Sequence, residues 1–164
     1  MPMTRTARTL GARAMVAAAM LVVVAPLASA QRPHIGPRSG VNFDNNANNA
    51  FVGLQLTAPM TTLLEFYPSY DLYFPDQGSM MAFNGDVKLR LPTGWPVDLY
   101  TGGGVNVMRR RVNNFTNNDV GGNVMFGLEK RTGWIHPFAE GRALIHDNTT
   151  MQLAAGLNVT LGSR

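Results

Sequence analysis

The stretch LEFYPSYDLYF (residues 64–74) sets Leu64, Phe66, Tyr70, Leu72 and Phe74 in alternation with Glu65, Ser69 and Asp71. Successive side chains of a strand point to opposite faces, so this period of two marks a strand with one apolar and one polar side. Which side meets water decides the class of protein. A soluble barrel hides the apolar set in its core, whereas a membrane barrel turns that set to lipid and encloses the charges.

The same alternation recurs along the chain and predicts strands at roughly 34–44, 50–59, 61–74, 80–92, 96–112, 120–131, 135–146 and 150–161. It is cleanest in the fourth, where Met81, Phe83, Val87, Leu89 and Leu91 oppose Asn84, Asp86, Lys88 and Arg90. No segment carries the i, i+3, i+4 spacing of an amphipathic helix. The connections alternate as well. Short ones, with the sequence TGW at 93–95 and again at 132–134, interleave with polar ones at 45–49, 75–79, 113–119 and 147–149. In an up-and-down barrel consecutive connections fall at opposite ends, so the sequence predicts one end of tight turns and one of longer, Asn-rich loops, as in barrels of the outer membrane.

The first thirty residues are read apart from the fold. Arg5, Arg8 and Arg13 precede an apolar run from Ala14 to Ala25, and small residues at Ala28 and Ala30 close the segment. These are the parts of a secretory signal cleaved before Gln31. The apolar run falls short of the ~20 residues of a membrane helix. The chain has no cysteine, which excludes a disulfide scaffold and a lipid-anchored cysteine. Three of the fourteen basic residues leave with the signal, so eleven face ten acidic ones. The high isoelectric point thus comes partly from the leader, and no nucleic-acid surface is expected. The remaining 134 residues suffice for one domain, spanning 31–164.

Twelve charged residues fall mid-strand on the polar faces: Arg38, Glu65, Asp71, Asp86, Lys88, Arg90, Asp98, Arg110, Glu129, Arg131, Glu140 and Arg142. Six are acids and six are bases. On a water-facing surface they need no balance, but in a narrow lumen they do, because breaking a buried pair costs about 3–5 kcal/mol. The apolar faces, among them Val52, Leu54, Leu64, Phe66, Leu72, Val87, Val105, Val124 and Leu157, hold more than the interior of a closed barrel of this size accommodates. Trp95 and Trp134 follow the Thr-Gly turns at the tight end. Phe43, Phe51, Tyr73 and Phe74 cluster at the other, so two aromatic girdles are expected. Two prolines sit on the apolar faces within strands, and Pro68, unable to donate a ladder hydrogen bond, predicts a bulge or break.

On these faces, turns and girdles, the region 34–161 resembles the small eight-stranded outer-membrane barrels, the class of the outer-membrane protein A transmembrane domain. The resemblance implies an all-β fold, an eight-stranded antiparallel up-and-down transmembrane β-barrel in the cell outer membrane. It also implies contact with membrane lipid and lipopolysaccharide, and insertion by the barrel assembly machinery. Many such proteins end in an aromatic residue, where this sequence reads NVTLGSR with Leu161 nearest that place.

Candidate sites are few. The lumen charges form a pore lining or, in a barrel this narrow, a salt-bridged plug. Arg109 and Arg111, flanking the inward Arg110, are placed outward, where a run of charge most often forms a solvated basic loop stem and where guanidinium groups could instead grip lipopolysaccharide phosphates. A lipid A-modifying enzyme needs serine, histidine and carboxylate together on the lipid side, yet His146 has no serine near it in any pairing. His34 and His136 lack metal-ligand spacing. No catalytic residue, cofactor or metal is expected, and the extracellular partner is not named by the sequence. The alternative is a soluble exported lipocalin-like barrel, with Leu64 and Phe66 lining a cup for a small apolar ligand.

Overall fold

The computed structural model describes residues 32–44, 48–112, 115–146 and 149–162; the signal segment expected at 1–30 lies outside them. Eight strands follow in order: β1 (His34–Phe43), β2 (Asn48–Pro59), β3 (Leu64–Phe74), β4 (Ser79–Leu91), β5 (Val97–Val112), β6 (Phe115–Lys130), β7 (Ile135–Ile145) and β8 (Thr150–Thr160). Each pairs antiparallel with the next, and β8 closes on β1, with Phe43 opposite Met151 and His34 opposite Thr160. Closure leaves the barrel wall no edge, which is the condition for spanning lipid with strands.

Side-chain direction answers the opening question. Glu65, Ser69 and Asp71 point inward and are buried, whereas Leu64, Tyr70, Leu72 and Phe74 point outward and are exposed. The outer wall carries Val52, Leu54, Phe83, Val87, Val105, Val124, Phe126, Leu153 and Leu157. A soluble barrel with an apolar cup is thereby overturned, because the interior is where the polar residues lie. Some aromatic and apolar side chains do turn inward. Phe51, Tyr73, Met80, Ala82 and Ala154 form one layer, and Tyr67, Tyr100 and Met125 another. A Cβ built on Gly127 would overlap the Tyr100 ring, so a glycine in the wall makes room for that layer.

Several expectations are corrected here. Phe51 and Tyr73 are not girdle residues: they are out of phase with Val52 and Leu72 and enter the lumen, leaving Phe43 and Phe74 outside. The two ends do not differ in connection length. Residues 60–63, 92–96 and 131–134 at one end are matched by 44–47, 75–78 and 146–149 at the other. The expected loop at 113–119 is mostly strand, since β5 and β6 run to Val112 and Phe115 and pair there, leaving only 113–114 between them. Both of these strands have 16 residues.

Pro68 brings no bulge. It pairs with Gly85 on one side, and toward β2 the pairing lapses at Leu56 and Thr57 and resumes at Ala58 opposite Phe66 in the same register. A missing N–H opens the ladder there without adding a residue. Pro137 lies just past the last β6 pair, Glu129 with Phe138, where no ladder bond is demanded.

The tight turns are held locally. Gly94 and Gly133 have φ of 77° and 99°, the left-handed region that glycine enters freely. Thr93 Oγ1 accepts from the Trp95 amide at 3.2 Å and donates to the Val97 carbonyl at 2.6 Å. Trp95 and Trp134 stand exposed at this end (78 % and 67 %). The barrel's first and last strand residues, His34 and Thr160, lie at this turn end too.

Candidate functional site

Two tiers of ion pairs lie within the lumen. Nearest the turn end, Arg131 meets Asp98 at 2.8 Å, Arg90 meets Asp98 at 3.9 Å and also pairs with Glu65, and Lys88 bridges Glu65 at 3.0 Å and Glu129 at 2.8 Å. This tier holds three acids and three bases. The Lys88 ammonium also lies 4.8 Å from the Tyr67 ring centroid and 4.7 Å from that of Tyr100, within cation–π range. Toward the middle, Arg38 on β1 meets Asp71 on β3 at 3.3 Å and Glu140 on β7 at 3.2 Å. Arg142 meets Glu140 at 3.0 Å and reaches Asp86 on β4 at 3.1 Å. Here three acids face two bases.

Amides and hydroxyls link these tiers. Tyr67 donates to Gln55 Oε1 at 2.6 Å, Gln55 donates to Asn158 at 2.8 Å, and Asn158 donates to Glu129 at 2.8 Å. Tyr100 donates to Glu140 at 3.0 Å. None of these linking amides stands out in a search for charge, and the sign that finds them is their inward phase on the strands.

Above the ion pairs the lumen changes character. Asn84 donates to Ser69 at 3.0 Å and to Asp71 at 3.3 Å, and its own oxygen accepts from Asn106 and Asn123. His146 Nε2 donates to Asn106 Oδ1 at 2.8 Å. A cavity of about 350 Å³ opens above this amide column at the loop end, among Asn42, Asn49, Arg110, Asp119 and His146. A second, of about 230 Å³, lies at the turn end between Arg32, His34, Arg90, Arg131 and Thr160.

The structure thus brings eleven of the twelve sequence-predicted lumen charges into ion pairs. Arg110 is the correction. Its phase is inward, but it stands exposed at the loop-end mouth, without an ion pair among the described residues. Arg109 and Arg111 are exposed on the same strand, opposite Met81 and Ser79 of β4.

The histidines are structural in their contacts. His136 Nδ1 donates to the Lys130 carbonyl at 2.9 Å, so its Nε2 accepts from the Thr160 hydroxyl at 2.8 Å. Its ring stacks on His34 at 4.4 Å between centroids. Both face the lumen, away from the lipid surface where acyl chemistry on lipid A would take place.

No protein-family model matches the sequence, and no curated protein matches it either. Solved structures do resemble the fold. The N-terminal β-barrel domain of Pseudomonas aeruginosa OprF superposes with a TM-score of 0.64 at 14 % identity, covering 80 % of this chain and 98 % of that one. Neisserial surface protein A gives 0.61 at 15 % identity, covering 79 % and 96 %. Ail, the attachment invasion locus protein of Yersinia pestis, gives 0.52 at 13 % identity, covering 77 % and 96 %. All three are eight-stranded outer-membrane barrels. A closed eight-stranded wall, apolar outside and polar within, has the form of a membrane-spanning β-barrel, and the fold it shares is that of outer-membrane barrels.

Proposed function

We propose that the protein is a closed barrel, a membrane-anchored scaffold whose lumen is stoppered by ion pairs and whose loop end meets the outside. It acts by structure and surface contact, with no catalytic step and no cofactor. The observation that carries this reading is the set of pairs that cross the lumen. Arg142 on β7 reaches Asp86 on β4, and Arg38 on β1 reaches both Asp71 on β3 and Glu140 on β7. Such pairs occupy the space through which ions would pass, and an eight-stranded interior is only wide enough for side chains to fill it.

Arg109 and Arg111, outward in phase and set at the loop end of β5, are the lipopolysaccharide contacts in this reading, since guanidinium pairs phosphate bidentately. Trp95 and Trp134 anchor the opposite interface. The barrel assembly machinery inserts the chain, and the partner met outside is a separate question from closure.

Planar lipid bilayers test closure. Purified protein is expected to give no discrete conductance steps above the lipid baseline. Reproducible steps from the wild-type protein overturn the stoppered lumen and make the barrel a pore.

A further inference from the structure

The mouth at the loop end carries chemistry that the stoppered lumen below it does not use. Asn42 is 2 % exposed, lines this cavity, and its Oδ1 has no hydrogen-bond partner. Thr150 Oγ1, on the same wall, has none either. A buried acceptor left without a donor is costly, and a ligand that brings donors recovers that loss. Around these atoms stand Asp44, Asp119 and Arg110, none in an ion pair among the described residues. Asp119 accepts one bond, from Asn117 at 2.8 Å.

The mixture of signs narrows the ligand. A cation is drawn by Asp44 and Asp119 but repelled by Arg110, and an anion meets the reverse. Hydroxyl groups serve both, because each donates to a carboxylate or amide oxygen and accepts from a guanidinium. Met80 and Met108 add an apolar patch for the C–H face of a ring. The volume of about 350 Å³ falls within the roughly 300–1,000 Å³ of small-molecule sites. We propose that this mouth is a binding site for a short neutral saccharide, with Asn42, Asp119 and Arg110 as its polar contacts. The site does not depend on whether the lumen beneath it conducts.

The test uses protein refolded in detergent micelles free of lipopolysaccharide, titrated with maltose and with N-acetylglucosamine. Calorimetry and the side-chain amide resonances of Asn42 and Asn49 report binding. Saturable binding of either sugar is expected, weakened roughly tenfold, or about 1.4 kcal/mol, by Arg110→Ala and by Asn42→Leu, and unchanged by Lys130→Ala at the far end of the barrel. Arg110 is exposed, so its variant keeps the proposal testable even where Asn42→Leu fails to fold. Repeating the titration with lipopolysaccharide in the micelle separates two sources of the same chemistry. Competition assigns the site to the membrane's own saccharide, and its absence assigns the site to a sugar from outside. Failure of both sugars to saturate at tens of millimolar, or binding indifferent to Arg110→Ala, overturns the proposal.

Discussion

The turn-side and loop-side halves of the lumen are built on one wall, yet they are held by different forces. Below, Lys88, Arg90 and Arg131 are matched one for one by Glu65, Asp98 and Glu129. Above, His146 donates to Asn106, and Asn106 and Asn123 donate to Asn84, in an amide column beneath an open mouth. Charges taken from water demand partners in fixed places, so the lower half has little freedom to rearrange. Amides tolerate a missing partner at smaller cost, and that tolerance leaves acceptors at the mouth free to meet a ligand.

The largest effect that bears on this contrast is expected from Lys88→Met. Glu65 keeps Arg90, but Glu129 loses its one ion-pair partner among the described residues and keeps the Asn158 amide. A buried carboxylate stripped in this way costs about 3–5 kcal/mol. Urea unfolding in lipid vesicles measures it. A loss below about 1 kcal/mol, the size of an ordinary hydrogen bond, would show that the two halves are held alike and break the comparison.

Asp86→Asn sharpens it. The middle tier has three acids for two bases, and Arg142 keeps Glu140 when Asp86 is neutralised. No base is left unpaired, so the change is expected to lie within about 1 kcal/mol of the wild type in the same unfolding assay. A loss as large as that of Lys88→Met would mean that charge number does not govern this tier.

How far these halves could be read from the sequence follows from what period two encodes. It reports the face of each residue, so the inward phase of Glu65, Lys88, Glu129 and Arg142 was legible, and with it the closed barrel. It does not report where along the strand the enclosed lumen gives way to the mouth, which is why Arg110 counted as a lumen charge although it stands exposed there. Phe51 and Tyr73 were legible by phase against Val52 and Leu72, but their aromatic character near strand ends outweighed it. The loop expected at 113–119 followed from the strand-averse character of asparagine. The competing signal was VNNF, two asparagines between Val112 and Phe115, the spacing of a two-residue hairpin. Pro68 misled in the other direction, because a single missing donor is absorbed by a gap in the ladder while the neighbouring pairs hold the register.

The hairpin that this spacing forms gives the smallest and most local test. Residues 115–121 of β6 pair with β5, but pairing with β7 begins only at Gly122 opposite Ile145. Phe115 is 84 % exposed at the tip. In an antiparallel strand alternate amides point to opposite neighbours, so every second amide of 115–121 faces a side where no described strand pairs with it. Hydrogen exchange in micelles is therefore expected to alternate, fast and protected, over 115–121 and to be slow throughout 123–129, because unpaired, solvated backbone opens at little cost. Uniform protection along 115–121 would mean that this edge is covered in solution. The loop-side half would then be bounded by a second layer of backbone, and its mouth would be narrower than the amide column beneath it implies.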